Sequence, residues 1–225
     1  MTLRHQVQAA FAETGILSKM VEEFRPRQGQ SDMAAAIATT LETGGVLVVE
    51  AGTGIGKTFS YLVPVLLGGQ RTLLSTATKT LQDQLFSRDL PRLVKALGLP
   101  IRTALLKGRA SYLCLNRLQL ARERVDLTDQ PGMAGLARIE LWAQATQTGD
   151  LAELPGLDER SPLIPVVTST RENCLGQDCP KYKDCFVMRA RKNALAADVV
   201  VVNHHLFFAD VALRDEGISE LLPSC

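Results

Sequence analysis

The sequence predicts an α/β fold, a parallel sheet with helices on both faces, interrupted partway by a small and mainly helical insertion. Three observations lead there. Val46-Leu47-Val48-Val49 reads as a buried strand, a glycine-rich turn follows it, and Phe59 to Leu67 returns to a helical apolar pattern. Further strand-like runs, Thr72 to Ser75, Pro100 to Leu106 and Val199 to Val202, alternate with helical stretches, the signature of βαβ units. Between Cys114 and Cys185 that alternation stops, and Pro131-Gly132, Pro155-Gly156, Pro162 and Pro165 punctuate the chain.

Taken in order, residues 5 to 24 place Val7, Phe11, Met20, Val21 and Phe24 at helical spacings, with a break expected at Thr14-Gly15. A helix from Met33 to Leu41 is stopped by Gly44-Gly45, just ahead of the first predicted strand. The turn after that strand is Ala51, Gly52, Thr53, Gly54, Ile55, Gly56, Lys57 and Thr58. A glycine-rich loop between a strand and a helix wraps backbone N–H groups around a polyphosphate, with Lys57 for the outer phosphates and the Thr58 hydroxyl for Mg²⁺. This is the pattern of a nucleoside triphosphate site. Its first position departs from the usual glycine, being Ala51, while Gly52, Gly54 and Gly56 keep the loop's conformational freedom. Upstream, Gln30 or Gln28 has the amide needed to pair with the N6 and N7 edge of adenine.

The second strand opens into Thr76, Ala77, Thr78, Lys79 and Thr80, then a helix carrying Gln82, Gln84 and Leu85. Hydroxyls and N–H groups at a helix start suit the phosphates of a nucleic acid backbone, and serve equally well as helix caps. Asp89-Leu90-Pro91 restarts a helix to Leu97, and one helix, about Leu136 to Thr146, is expected inside the insertion. A helix from Phe186 leads to the last strand, followed by Asn203-His204-His205. The expected parts are therefore residues 1–107 and 191–225 for the sheet lobe and 108–190 for the insertion.

Composition excludes several classes. With 46% hydrophobic and 22% charged residues over 225 positions, the chain can bury a core. A formal charge of +1 shows no global attraction to nucleic acid or to an anionic membrane, so any such affinity is local. The apolar runs are too short to span a bilayer, which leads us to expect a cytoplasmic protein with reduced thiols.

Cys174, Cys179 and Cys185 lie within a dozen residues, and Cys114 stands far upstream. Four thiolates around one centre suit either structural zinc or a [4Fe-4S] cluster. Zinc sites favour two short C-x₂₋₄-C pairs, whereas Cys114 has no near partner, so the spacing leans toward iron and sulfur. Cys225 sits outside the set. Around the cluster of cysteines, Lys181, Lys183, Arg189, Arg191 and Lys192 face the single acid Asp184, with Tyr182 and Phe186 interleaved. Cations for a backbone and rings for bases are what a single nucleic acid strand needs; a solvated helix face with one core aromatic is the plainer reading.

These motifs, in this order, resemble the DinG and YoaA branch of the XPD-like iron-sulfur helicases of superfamily 2. The resemblance runs from about Phe24 onward through Arg25-Pro26-Arg27-Gln28-Gly29-Gln30, the Glu50 to Thr58 loop, Lys107-Gly108-Arg109, Tyr112-Leu113-Cys114, the cysteine cluster and Asn203-His204-His205. It implies a RecA-like P-loop lobe and 5′ to 3′ unwinding of DNA driven by ATP and Mg²⁺, with Gln30 reading adenine. It further implies that Thr76, Thr78, Lys79 and Thr80 touch single-stranded DNA and that the four cysteines hold a [4Fe-4S] cluster near the duplex junction. Replication or repair proteins are the implied partners. Such helicases continue into an Asp-Glu-Ala-His strand and a second motor lobe, neither of which this sequence contains. Asp158-Glu159 and Asp215-Glu216 read as solvated acids and are no substitute. We therefore expect the N-terminal portion of a longer helicase. A non-hydrolysing binding or regulatory chain and a redox sensor are the alternatives.

Overall fold

The computed structural model describes residues 1–20, 25–52, 54–124, 130–215 and 222. Thr53, Val21, Phe24 and Cys225 lie outside the described residues, as do Glu216 and the stretch 125–129. By contact density the chain divides into two compact units, one holding residues 1–105 and 196–207 and the other 106–195 and 208–222.

The first unit opens with α1 (Leu3–Phe11) and α2 (Ile16–Met20), broken at Thr14-Gly15 as the sequence predicts. Thr2 caps α1 by accepting the His5 N–H. Helix α3 (Gln28–Thr43) starts earlier than its apolar pattern does, taking in Gln28 and Gln30, and ends at Gly44, whose φ of 77° only glycine adopts freely. Next come α4 (Lys57–Gly68), β1 (Thr72–Thr76) and α5 (Lys79–Gln84). A π-helical turn over Leu85–Asp89 then runs directly into α6 (Leu90–Leu97), so the chain does not restart there. β2 is shorter than its apolar run, covering Thr103–Leu105. The last strand, β3 (Val199–Asn203), is central: the sheet order is β1-β3-β2 and both pairings are parallel. Val199 to Val202 are all buried, as befits a strand covered on both sides. The core joins Val7, Phe11, Leu17, Leu62, Leu66, Leu90, Leu93 and Val201.

One expectation fails. Val46 to Val49 form neither a strand nor a buried segment; they are extended, with exposures of 94, 40, 91 and 40% in turn. A valine-rich run becomes a strand only where a neighbour completes its hydrogen-bond ladder. Among the described residues, no strand lies beside 46–50.

The second unit is helical. α7 (Leu115–Arg124), which the proline-punctuated sequence did not announce, precedes α8 (Gln130–Ala145) and the short α9 (Ile164–Val167). α10 (Phe186–Ala196) follows the cysteines; α11 (His204–Asp215) follows β3, and its residues from Phe208 on belong to this unit while His204 to Phe207 belong to the first. Leu113, Leu136, Ile139, Val167 and Phe186 make this unit's own core. Inside it lies an ion pair, Lys107 Nζ to Asp150 Oδ2 at 2.7 Å, with side chains only 4% and 9% exposed. The Lys107 N–H also donates to the Tyr112 hydroxyl at 3.0 Å, and burial pushes that phenol up to about 12. No helix among the described residues is long and apolar enough to cross a membrane.

Candidate functional site

The glycine-rich loop enters α4 at Lys57, so the helix begins where a polyphosphate would rest. Gly56, the residue before it, has φ 88°. That φ calls for glycine, and a Cβ there would also push the Gln30 amide aside. Gln30 is 5% exposed and donates through Nε2 to the Gly56 carbonyl at 3.1 Å. Its amide therefore reaches the loop itself. Arg27, three residues earlier, donates through Nη1 to the Gly54 carbonyl. The exposed Lys57 ammonium donates to the carbonyls of Ala51 at 2.6 Å and Gly52 at 3.0 Å. These carbonyls hold the cation where phosphate oxygens would otherwise take it. Tyr61, one turn along α4, is set near Thr58, and burial keeps its phenol above the ordinary value. Sequence reasoning passed over both Arg27 and Tyr61, although their i,i+3 spacings to Gln30 and Thr58 were there to be seen.

β1 ends in the Thr76 to Thr80 segment. Thr78 is the N-cap of α5, its hydroxyl accepting the Leu81 N–H at 3.2 Å, and Thr76 Oγ1 donates to the Thr78 carbonyl at 3.2 Å. The capping role foreseen for one of these threonines is thus real. Thr78, Lys79 and Thr80 remain exposed.

In the helical unit, Cys114, Cys174, Cys179 and Cys185 line one cavity of about 230 Å³. Arg109, Arg171, Lys181 and Arg191 also line it, and among the described residues no carboxylate does. Burial pushes the Cys114 thiol up, and Cys179 and Cys185 add to that shift. Burial lowers the Arg191 guanidinium, with the Arg109 charge acting the same way and Cys174 and Cys185 opposing it. Among the described residues, no three cysteine, histidine or carboxylate side chains are set to ligate a single ion.

The basic stripe divides. Lys181 and Tyr182 line the cysteine cavity, whereas Lys183 is exposed. Arg189 lies 5.3 Å over the Phe186 ring and donates to the Gln147 carbonyl at 3.0 Å. An open groove of about 840 Å³ runs past Lys181, Arg189 and Phe186, with Arg122 tied to Glu140 at its side at 2.9 Å.

A parallel sheet with a phosphate loop running into a helix defines a P-loop nucleotide-binding lobe. Residues 30–128 match the DEAD/DEAH box helicase family. It is 50% identical over 224 residues to a protein of Haemophilus influenzae named ATP-dependent DNA helicase YoaA, covering all of this chain and 35% of that one. Identity to the Escherichia coli protein of the same name is 50% over 214 residues, 95% of this chain and 34% of the relative. A Mycobacterium tuberculosis protein named ATP-dependent helicase DinG is 43% identical over 217 residues, 86% of this chain and 32% of its own length. The chain thus spans about a third of the length of these relatives.

Proposed function

We propose that this chain is the nucleotide-binding N-terminal portion of an ATP-dependent 5′ to 3′ DNA helicase of the iron-sulfur type. The observation that carries this reading is the Ala51 to Thr58 loop running into α4, with Lys57 exposed at its mouth and Gln30 held against Gly56. On nucleotide binding, Lys57 exchanges the Ala51 and Gly52 carbonyls for phosphate oxygens, a charge-assisted contact stronger than the one it leaves. Thr58 would hold Mg²⁺ through its hydroxyl. Gln30 would read adenine and, through Gly56, report on the state of the loop. In this reading the carboxylates that hold Mg²⁺ and orient water, and the arginines that stabilise the transferring phosphoryl group, belong to polypeptide beyond this third of the protein.

Cys114, Cys174, Cys179 and Cys185 would hold a [4Fe-4S] cluster, which the cavity suits because its cations Arg109, Arg171, Lys181 and Arg191 would offset the net negative charge of four thiolates. Bound there, the cluster would tie Cys114 to the 174–185 segment. Single-stranded DNA and duplex junctions are the substrates in this reading, contacted by Thr76, Thr78, Lys79 and Thr80 and by Lys181, Tyr182, Lys183 and Arg189. Replication or repair proteins are the expected partners, in the cytoplasm.

Lys57→Ala in the full-length protein tests the reading. DNA-stimulated ATP hydrolysis should fall by about 100-fold or more, the scale seen when a charge-stabilising group is removed. Hydrolysis that survives the substitution would refute it. Unwinding of substrates with a 5′ but not a 3′ single-stranded tail tests the direction.

A further inference from the structure

β1 and β3 run in parallel register from Thr72 opposite Val199 to Thr76 opposite Asn203, so the two strands finish at one level. Both then turn into helices. β3 passes straight into α11 at His204, and β1 reaches α5 at Lys79 through the Thr76 to Thr78 turn. Across this end, Ser75 Oγ and His204 Nδ1 stand 2.7 Å apart, a hydrogen bond between residues 129 positions apart in sequence. Thr76 Oγ1 donates to the Val202 carbonyl at 3.4 Å, and Asn203 Oδ1 accepts the Leu206 N–H at 2.8 Å to cap α11. Ser75 is thus tied to the first turn of α11 at the point where the Thr76 to Thr80 segment leaves the sheet.

The sheet does not need this bond. A five-residue ladder already joins the two strands. The pair is also exposed, and a hydrogen bond facing water contributes little to folding. In parallel α/β sheets, however, this end of the strands is where ligands bind, and the position of a loop there matters more than its stability.

We propose that the Ser75–His204 bond is a positioning contact for nucleic acid: it holds the exit of β1 against α11 and keeps Thr76 to Thr80 in the shape that takes a single-stranded backbone. This rests on the helicase reading, in which Thr76 to Thr80 meet the strand. The hydroxyl and imidazole act through the loop and do not themselves contact DNA.

The test measures oligo-deoxythymidine binding by fluorescence anisotropy, using full-length protein, for Ser75→Ala, His204→Ala, the double variant and His204→Asn. MgATP affinity without DNA is measured alongside. Each alanine variant should bind DNA about three- to tenfold more weakly, the scale of one net hydrogen bond. The double variant should be no worse than the weaker single one. His204→Asn, whose amide can meet the Ser75 hydroxyl, should recover most of the loss, and MgATP affinity should stay within about twofold throughout. Independent losses that multiply in the double variant would overturn the proposal. So would unchanged DNA binding, or a parallel fall in MgATP affinity that marks general damage to the lobe. Wild-type protein with no affinity for single-stranded DNA would overturn the parent reading as well.

Discussion

The phosphate loop and the cysteine cavity reach a charged ligand by opposite routes. In the proposed function the loop is a local site, where a cation, Lys57, rests on the nearby Ala51 and Gly52 carbonyls. The cavity gathers side chains from Cys114 to Cys185 and surrounds sulfur with Arg109, Arg171, Lys181 and Arg191. The first needs its own short stretch and the Arg27 and Gln30 side chains that hold Gly54 and Gly56. The second exists only if the whole insertion folds.

The largest expected effect separates the two. Cys179→Ser in anaerobically purified full-length protein should remove most of the iron and the broad absorption near roughly 400 nm expected of thiolate-bound iron-sulfur clusters. MgATP binding should persist, because the loop draws nothing from the cavity. Lys57→Ala should do the reverse, keeping the iron while hydrolysis disappears. Wild-type protein that is colourless and carries zinc would break the comparison on the cysteine side.

A somewhat smaller effect probes what the insertion rests on. Lys107 and Asp150 form a pair shut off from water, and removing one partner leaves the other charge buried alone. Lys107→Met should destabilise the insertion by about 3–5 kcal/mol in denaturant unfolding followed by loss of cluster absorption. Adding Asp150→Leu should return part of that loss, although the carboxylate also accepts the Ala152 N–H at 3.1 Å. Equal sensitivity in the first unit would contradict the division of the chain into two independently packed cores.

The same contrast explains what could be read from the sequence. The helix after the glycine-rich loop and the break at Thr14-Gly15 depend on neighbours in the chain, and local pattern found them. The parallel strands Thr72–Thr76 and Val199–Asn203 were legible because β-branched runs alternate with helices. Helix α7 was not, since its neighbours are proline-punctuated and its apolar residues serve a core assembled from distant segments. Val46 to Val49 misled for the opposite reason: the pattern of a strand was present without a neighbour to pair with. Gln30 was singled out for adenine, but its hold on Gly56 is a tertiary contact that periodicity cannot reveal. Ser75 meeting His204 is another.

The smallest effect sharpens the contrast within the sheet itself, between its two ends. At the end opposite Ser75 and His204, Asp198 gathers all three strands: its carbonyl accepts from Thr72 N–H at 2.9 Å, its N–H donates to the Arg102 carbonyl at 2.8 Å, and its carboxylate accepts the Arg102 N–H at 2.8 Å. That Arg102 N–H, helped by the Arg102 guanidinium at 3.6 Å, holds the Asp198 carboxyl below the usual range. A carboxyl whose pKa is lower folded than unfolded stabilises fully above the unfolded value, about 3.9 for aspartate, and loses that contribution as pH falls through the folded value. The group is largely exposed, so the effect is modest. Asp198→Asn should lower the melting temperature by about 1–3 °C at neutral pH, with the gap from wild type closing below about pH 4. Binding of single-stranded DNA should not change, because this end of the strands only fastens the sheet. A loss of DNA affinity equal to that of His204→Ala would show that the two ends are mechanically coupled, and the assignment of a positioning role to the Ser75 end alone would fall.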